Sequence, residues 1–411
     1  MSRAPHLRVL VHLNSLELGG TQINAVDLAA ALRGRGIESL LIGVQDTRPS
    51  GPSLVDLAHT RGFDIATYQP APSLIARARQ FTAMADRHHV DLVHVYGSWG
   101  GGAGPTYWGP ARFGRTPWVQ TVWEMEVSPK LFRHMPMIVG TGYQLEEQLV
   151  ARPGRTELIS PPVDMDENRP GLFDGLDFRS AHGIGDAPLL AIVSRLDRSM
   201  KSIPVQVAIE AVRALSSTGA VLALVGSGDH VPAIRAHADV VNDAVGREAV
   251  VMVGPLADPR PAYGAADIVL GMGGSAARAL AFGKPLVVTG ERGWSEVFEE
   301  SSAASLAYSS FWSADEVPDP DVRLASVLAP LLADPARRAA LGAYGRAFAV
   351  DHFGLPAMAE RLDGFYRATL DAHSRRRWLG DMPREGSRIA ATLVRTGSRA
   401  LRLPTPALGG S

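Results

Sequence analysis

The sequence predicts an α/β protein made of two Rossmann-like domains that face each other across a cleft. Its 411 residues exceed what one ordinary hydrophobic core holds, so two domains are expected. Short apolar runs alternate with longer amphipathic runs, which is the pattern of parallel strands joined by helices. Between two such series lies ISPPVDMDENRPG, residues 159–171, whose prolines and acidic residues mark a boundary.

Each half of the chain contains short apolar runs that predict strands of a parallel sheet. In the first half these strands are Leu7–Leu13, Ser39–Val44, Asp91–Val95, Trp118–Val122 and Met137–Gly140. In the second half they are Leu189–Val193, Val221–Val225, Val250–Val253, Ile268–Leu270 and Leu286–Val288. Helical spacing of apolar residues follows in TQINAVDLAAALRGRG and again in Ile203–Leu215.

The end of the chain predicts a closing helix and a basic tail. Asp334 and Pro335 suit the cap and first position of a helical stretch over Pro335–Leu370. Beyond it, residues 373–411 contain eight arginines against Asp381 and Glu385. The expected division is therefore residues 1–165 and 166–350 for the two domains, 351–372 for the closing helix and 373–411 for the tail.

The tail has two interpretations. A helix over Arg388–Leu403 would place several arginines on one broad side, which could lie on an anionic membrane. A solvated or disordered tail is the alternative. The arginines concerned are Arg388, Arg395, Arg399 and Arg402.

Composition excludes several classes of function. Hydrophobic residues make up 46% and charged residues 20%, and the net charge of −1 gives no general attraction to nucleic acid or membrane. The absence of cysteine excludes disulfides and thiolate chemistry. The first apolar run, Leu7–Leu13, is too short and polar for a signal segment, so a cytoplasmic protein is expected.

The stretch VLGMGGSAARALAFGKPLVV, residues 269–288, admits two chemistries. Ser275 on a strand-to-helix turn resembles a hydrolase nucleophile, which would need a histidine such as His352, although Ala277 stands where that pattern wants glycine. Alternatively, Gly273, Gly274 and Ser275 expose backbone amides at a helix start, which suits a diphosphate.

Other strand ends favour the phosphate interpretation. Arg195 follows a strand and Lys201 precedes a helix, and two such cations can neutralise a diphosphate. Gly226 and Gly228 end the next strand in an incomplete dinucleotide-type turn. Carboxylates later in the chain, Glu291 and Glu296, could accept hydrogen bonds from sugar or ribose hydroxyls.

One acidic pair suggests a metal, but weakly. Asp164-Met165-Asp166 has the spacing at which two carboxylates can hold a divalent cation. It lies in the proline-rich boundary away from every phosphate element, so an exposed acidic loop is the expectation and no metal site is predicted.

In combination, these motifs resemble the GT-B glycosyltransferases, specifically the family 4 group of retaining enzymes that use nucleotide sugars. The matching stretches are LELGGTQINAVDLAAALRGRG, LISPPVDMDENRP, SRLDRSMKS, VGSGDH and AADIVLGMGGSAARALAFGKPLVV. The resemblance implies hexose transfer with retention, in which the leaving diphosphate helps to deprotonate the acceptor, without metal or cofactor. It implies donor binding by Gly19, Gly20, Gly226, Gly228, Gly273, Gly274, Ser275 and Glu296, with Arg195 and Lys201 on the phosphates.

Two departures from the family pattern stand out. The family usually carries two glutamates eight positions apart, where this chain has Leu270 and Arg278. It often has a histidine after the fifth strand, where this chain has Trp123 beside Glu124. These departures indicate either a divergent branch with a rearranged sugar site or a chain that binds a sugar nucleotide without catalysis. A nucleotide-sugar epimerase is a further alternative within the fold.

The segment from Tyr96 to Trp123 is rich in glycine and tryptophan. Aromatic side chains on a flexible backbone suit a platform for a glycan or lipid-linked acceptor, whereas core packing is the plain alternative. The residues predicted to border the acceptor pocket are Trp99, Trp108, Trp123 and Glu124.

Overall fold

The computed structural model describes residues 6–45, 53–198 and 201–400, with side chains described as far as residue 387. Two sheets form its framework, and the predicted α/β architecture is confirmed. The first sheet consists of β1 Leu7–His12, β2 Ile37–Val44, β3 Ala66–Tyr68, β4 Leu92–Tyr96, β5 Trp118–Val122, β6 Met137–Val139 and β7 Thr156–Leu158. The second consists of β8 Leu189–Val193, β9 Val221–Val225, β10 Val250–Gly254, β11 Ile268–Gly271, β12 Leu286–Thr289 and β13 Ser295–Val297.

Helices cover both sheets. Those associated with the first sheet are α1 Gly20–Arg33, α2 Leu54–Thr60, α3 Leu74–Arg87, α4 Ala103–Trp108 and α5 Gly142–Ala151. Along the second half run α6 Gly175–Ala181, α7 Ser202–Ala214, α8 Val231–Val245, α9 Arg260–Ala265, α10 Gly274–Ala281, α11 Ala303–Tyr308 and α12 Pro320–Ala333. The chain continues through α13 Pro335–Phe353, α14 Leu355–Asp371 and α15 Arg375–Ala400, and short 3-10 turns occupy Arg112–Gly114 and Ser216–Thr218.

The strand order creates a crevice in each sheet. The first sheet runs β3-β2-β1-β4-β5-β6-β7 and is parallel throughout. The second runs β10-β9-β8-β11-β12-β13, and its last strand is antiparallel. The order reverses beside β1 and again beside β8, and ligands of open α/β sheets bind outside the carboxyl ends of strands at such points.

The helical stretch predicted over Pro335–Leu370 consists of two helices, α13 and α14. The cap is as expected, since the Asp334 side chain accepts a hydrogen bond from the Arg337 amide. The helix ends at Phe353, however, and Gly354 begins α14 in an extended conformation. The break returns the chain to the first half: α13 contacts α10, whereas the buried side of α14, including Phe365 and Tyr366, packs into the core that contains β1.

The tail is not wholly solvated, because the first turns of α15 pack against the first half of the chain. Trp378 is buried, and its indole stacks at 5.0 Å on Tyr107 while its Nε1–H donates to the Tyr107 carbonyl. Asp381 is buried as well and accepts hydrogen bonds from the amides of Arg133 and His134. The arginine side of Arg388–Leu403 lies outside the residues whose side chains are described, so membrane contact through it stays a prediction.

This packing makes Trp378→Ala a strong test of the tail. Removing a buried Trp leaves a cavity and is expected to cost about 3–5 kcal/mol in the free energy of unfolding, measured by denaturant titration. The neighbouring Leu379 is 50% exposed, so Leu379→Ala should change that free energy by roughly 0.5 kcal/mol or less. Equal stability of the two variants would contradict the packed position of α15.

Candidate functional site

A large cleft lies between the carboxyl ends of the two sheets. It encloses about 1590 Å³, including its open mouth. One wall is the loop after β1, represented by Gly19 and Gly20, together with the connecting segment Ser160–Val163. The other is made of loops that follow β8, β9 and β11, and their cleft-lining residues are Ser194, Arg195, Gly226, Ser227, Met272, Gly273, Gly274 and Ser275.

The charged side chains of this cleft all have one sign. Arg195, Lys201 and Arg278 line it, and the described lining residues include no Asp, Glu or His. Low-dielectric walls strengthen the field of such a cluster, because less water screens it. The cleft is therefore electrostatically suited to an anion.

Three helices begin at the cleft without a side-chain cap. They are α1 at Gly20, α7 just after Lys201, and α10 at Gly274. The first amides of a helix have no intrahelical acceptor, and the helix dipole is positive at that end. A Cβ built on Gly20 or Gly274 would meet no atom within 4 Å, so a ligand can approach both backbones closely. Gly273 supports this turn with φ +56°, a conformation that favours glycine.

The two glycines after β9 act chiefly on the neighbouring loop. A Cβ on Gly226, where φ is +146°, would lie 1.8 Å from the Ser194 carbonyl oxygen. A Cβ on Gly228 would lie 2.3 Å from the Leu196 carbonyl oxygen. Gly226 also lines the cleft, whereas Gly228 does not. Contact of Gly228 with a donor therefore stays a prediction, whereas its backbone packs against the loop that carries Arg195.

Lys201 is the cation whose protonation the site perturbs. Burial, reinforced by the positive charge of Arg195, lowers the pKa of Lys201 from 10.5 to about 8, and the charges of Asp197 and Glu291 act in the opposite direction. An anionic ligand would favour the charged form and raise this pKa. Arg195 is held by a 3.0 Å ion pair between its Nη1 and Asp197 Oδ2, with 77% of its side chain exposed.

Arg278 is a residue of the cleft, although the sequence marked it only as a departure from the family's glutamate pattern. It lies one helical turn after Gly274, so its side chain follows the same side of α10 as the exposed amide. Its Nε is buried without a hydrogen-bond partner. Beside it, the buried Tyr263 hydroxyl lies against the Arg278 side chain. Burial raises the pKa of Tyr263 to about 12, while the charge of Arg278 and a hydrogen bond with its side chain act in the opposite direction. The spacing of four residues from Gly274 was the available signal for Arg278; nothing local marked Tyr263.

Ser275 and His352, the hydrolase candidates, lie in different surroundings. The Ser275 hydroxyl lines the cleft and donates to the Met272 carbonyl at 3.0 Å. His352 is exposed on α13, where its ring stacks on Phe348 at 3.8 Å. The geometry gives the serine no histidine partner among the described contacts.

The predicted carboxylates lie off the cleft lining. Glu296 is on β13, opposite Val288. Glu291 accepts a long hydrogen bond of 3.4 Å from the Trp312 indole. In the acidic loop, Asp164 Oδ1 accepts hydrogen bonds from the amides of Asp166 and Glu167 and so closes a turn.

The four predicted acceptor residues are not brought together. Trp99 is 54% exposed on the glycine loop after β4, next to Ser98, whose amide donates to Glu124 Oε1 at 2.6 Å. Trp123 packs on Tyr96 and donates from its indole to the Ile159 carbonyl. Trp108 packs on Trp378 at 5.7 Å. Trp99 and Glu124 thus share one edge, whereas Trp108 and Trp123 make packing contacts, and none of the four lines the cleft.

Two family models match the chain, one in each half. A family model described as a glycosyl transferase 4-like domain matches residues 19–159. A second, described as glycosyl transferases group 1, matches residues 187–312. Gly19, Arg195 and Ser275 of the cleft fall within the matched ranges, whereas Ser160–Val163 lies between them. The chain therefore belongs to the GT-B glycosyltransferases, with a family 4-like N-terminal domain.

Solved structures confirm the fold at low sequence identity. A glycosyltransferase from Rickettsia africae superposes with a TM-score of 0.69 and 15% identity, covering 89% of this chain and 99% of that one. HepE of Anabaena in complex with UDP-glucose superposes with a TM-score of 0.64 and 17% identity, covering 88% of this chain and 100% of that one. A putative UDP-N-acetylglucosamine 2-epimerase from Listeria monocytogenes superposes with a TM-score of 0.59 and 14% identity, covering 90% of this chain and 98% of that one. No curated protein sequence matches the chain.

The lowered pKa of Lys201 predicts pH-dependent binding of UDP. A side chain with a pKa of about 8 is mostly charged at pH 7 and mostly neutral at pH 9, whereas the terminal phosphate of UDP is already ionised at both values. Affinity should therefore fall by about tenfold between pH 7 and pH 9, measured by calorimetry. In Lys201→Met the affinity should be lower and nearly independent of pH. An equal pH dependence in both proteins would contradict the assignment.

Proposed function

We propose that this protein transfers a hexose from a nucleoside diphosphate sugar to an acceptor with retention of anomeric configuration. Its family membership supports glycosyl transfer from a nucleotide sugar. The observation that carries the proposal for this chain is the meeting of three uncapped helix N-termini with three cationic side chains in one cleft. That arrangement stabilises negative charge wherever a diphosphate is bound.

In the proposed reaction, the bond between the anomeric carbon and the diphosphate oxygen breaks, and the acceptor oxygen bonds to that carbon on the same face. The acceptor proton passes to the leaving diphosphate, so atoms and charge balance. Charge grows on the diphosphate as the bond breaks. Arg195, Lys201 and the first amides of α10 stabilise it, and they do so more strongly in the transition state than in the ground state. The mechanism requires no metal.

The lining of the cleft favours a transferase over an epimerase. Acid–base chemistry on a sugar needs a titratable group within hydrogen-bonding reach of the carbon that changes configuration. Among the described lining residues, Lys201 is the titratable group near neutral pH, and the other two cations are arginines. A diphosphate that serves as its own base avoids this need.

The acceptor is assigned to the edge formed by Trp99 and Glu124, as a glycan or lipid-linked molecule. Trp99 offers an exposed aromatic face, and one oxygen of Glu124, Oε2, is buried without a hydrogen-bond partner. Both lie at the carboxyl ends of β4 and β5, on the edge of the first sheet where crevice ligands bind. Contributions from Trp108 and Trp123 stay predictions.

A cytoplasmic location, with peripheral membrane contact through the tail, also stays a proposal. Among the described residues no helix combines the length and apolarity needed to cross a membrane. The docked part of α15 leaves Leu379 and Met382 exposed next to the exposed Arg375 and Arg376, which suits shallow contact with anionic lipid. Co-sedimentation of the full chain with anionic but not with neutral vesicles would support it; equal binding to both would contradict it.

Catalysis is tested by removing the phosphate-binding cations. After a thermal-shift screen with UDP, GDP, ADP and their hexose conjugates identifies the donor, Arg195→Ala and Lys201→Ala should each reduce donor hydrolysis or transfer by about 10²–10³-fold. Arg213→Ala is the matched control, because Arg213 lies on α7 outside the cleft lining in an exposed pair with Glu210.

The results separate the candidate functions. Loss in both cleft variants and none in the control supports the proposed transferase. A donor that raises the melting temperature of the wild-type chain without any transfer or hydrolysis would indicate a silent sugar-nucleotide binder. Unchanged activity in Arg195→Ala and Lys201→Ala would overturn the site.

A further inference from the structure

The cleft holds an unusual balance of hydrogen-bonding groups. Its charged groups, Arg195, Lys201 and Arg278, are all donors, and its described lining contains no carboxylate and no imidazole. Three carboxylates act on the cleft cations from outside the lining, and each is engaged elsewhere. Asp197 pairs with Arg195, Glu291 accepts from Trp312, and Asp258 pairs with Arg260. A ligand hydroxyl that must donate a hydrogen bond therefore finds no charged acceptor on the wall.

Arg278 sharpens this imbalance. It lines the cleft, and a guanidinium donates hydrogen bonds but cannot accept them. Its Nε is buried without a hydrogen-bond partner, and the fully buried Tyr263 hydroxyl lies against the same side chain. Arg278 therefore complements an acceptor such as a phosphate or carbonyl oxygen, rather than a pair of vicinal hydroxyls.

Nucleotide sites of Rossmann-like folds usually hold the ribose by a carboxylate that accepts from the 2′-hydroxyl. Such charge-assisted hydrogen bonds are stronger than neutral ones, and a site built around one discriminates against the analogue that lacks the hydroxyl. Wherever the ribose lies in this cleft, the described wall offers it no such acceptor.

We propose that this cleft, whose described lining has three cationic side chains and no carboxylate, does not recognise the ribose 2′-hydroxyl. It therefore accepts 2′-deoxynucleoside diphosphate sugars as readily as their ribonucleotide forms. The inference rests on the proposed function and narrows its donor class. Affinity comes from the diphosphate and from acceptor atoms facing Arg278.

Matched nucleotide pairs test this directly. Calorimetry of the full chain at pH 7 compares UDP with dUDP, GDP with dGDP and ADP with dADP, because the members of each pair differ by one hydroxyl. For the base that binds most tightly, the two forms should have dissociation constants within tenfold of each other. A ribonucleotide preference of tenfold or more overturns the inference while leaving the proposed function intact.

Variants at Arg278 provide the complementary test. Arg278→Glu places a carboxylate acceptor on the same wall, and it should create a ribonucleotide preference of tenfold or more if that wall faces the ribose. Arg278→Gln removes the charge without adding a carboxylate. It should therefore raise the dissociation constants of the ribonucleotide and the deoxynucleotide by the same factor. If Arg278→Gln weakens only the ribonucleotide, Arg278 itself recognises the hydroxyl and the inference is wrong.

Failure of the two proposals can be told apart. If no ribonucleotide or deoxynucleotide binds the wild-type chain, the cleft is not a nucleotide site and both proposals fall. If both members of a pair bind equally but no hexose is transferred, this inference stands and catalysis fails. The wild-type comparison needs no variant, so it remains decisive even if Arg278→Glu does not fold.

Discussion

The close approach of the loops after β8 and β9 is the constraint on which the site depends. At Gly226 and Gly228 the two backbones lie so near that any side chain would collide with a carbonyl oxygen of Ser194 or Leu196. Hydrogen bonds fasten the contact: the Leu196 amide donates to the Ser227 carbonyl at 2.8 Å, and the His230 amide donates to the Leu196 carbonyl at 3.0 Å. Arg195 thus stands on a loop fixed from both sides, although its own side chain is largely exposed.

The two walls of the cleft are joined where the chain crosses between the sheets. Val163 on the outward crossing exchanges backbone hydrogen bonds with Phe353 and Leu355 on the return, at 2.8 and 3.0 Å. Nearby, the Arg61 guanidinium donates to both carboxylate oxygens of Glu167, tying α2's end to the connecting segment. At the other side of the cleft, the Tyr308 hydroxyl donates to Glu146 at 2.7 Å. These contacts link the first half of the chain, the connecting segment and the second half.

Much of this architecture was readable from periodicity, and the failures have physical reasons. β5, β8 and β9 begin and end where their apolar runs do. The strands β3, β7 and β13 were missed because each mixes polar with apolar residues, as ATY, TEL and SEV. The equally short β6 was predicted because Met137–Val139 is wholly apolar. The break at Gly354 was missed because apolar spacing continues through it, although Gly354 and Pro356 together were a usable stop signal.

Some residues of the site could be predicted from the sequence in the same way, and others could not. Arg195, Lys201 and the amides of α10 follow strand ends, so the parallel topology that places them together was predictable. Other contacts join segments that are distant in the sequence, and no local pattern encodes them. Examples are the stacking of Tyr107 on Trp378 and the position of Tyr263 beside Arg278. Glu296 matched a motif, but its strand lies at the far edge of the sheet from β8.

The central claim is that the cleft binds a diphosphate through converging helix N-termini and cations. A crystal structure of the wild-type chain with UDP, or with whichever nucleoside diphosphate binds, tests it most directly. The account predicts phosphate oxygens within hydrogen-bonding distance of the Gly274 or Ser275 amide and of the Arg195 and Lys201 side chains. A diphosphate bound elsewhere, or one in the cleft that contacts none of these groups, would contradict it.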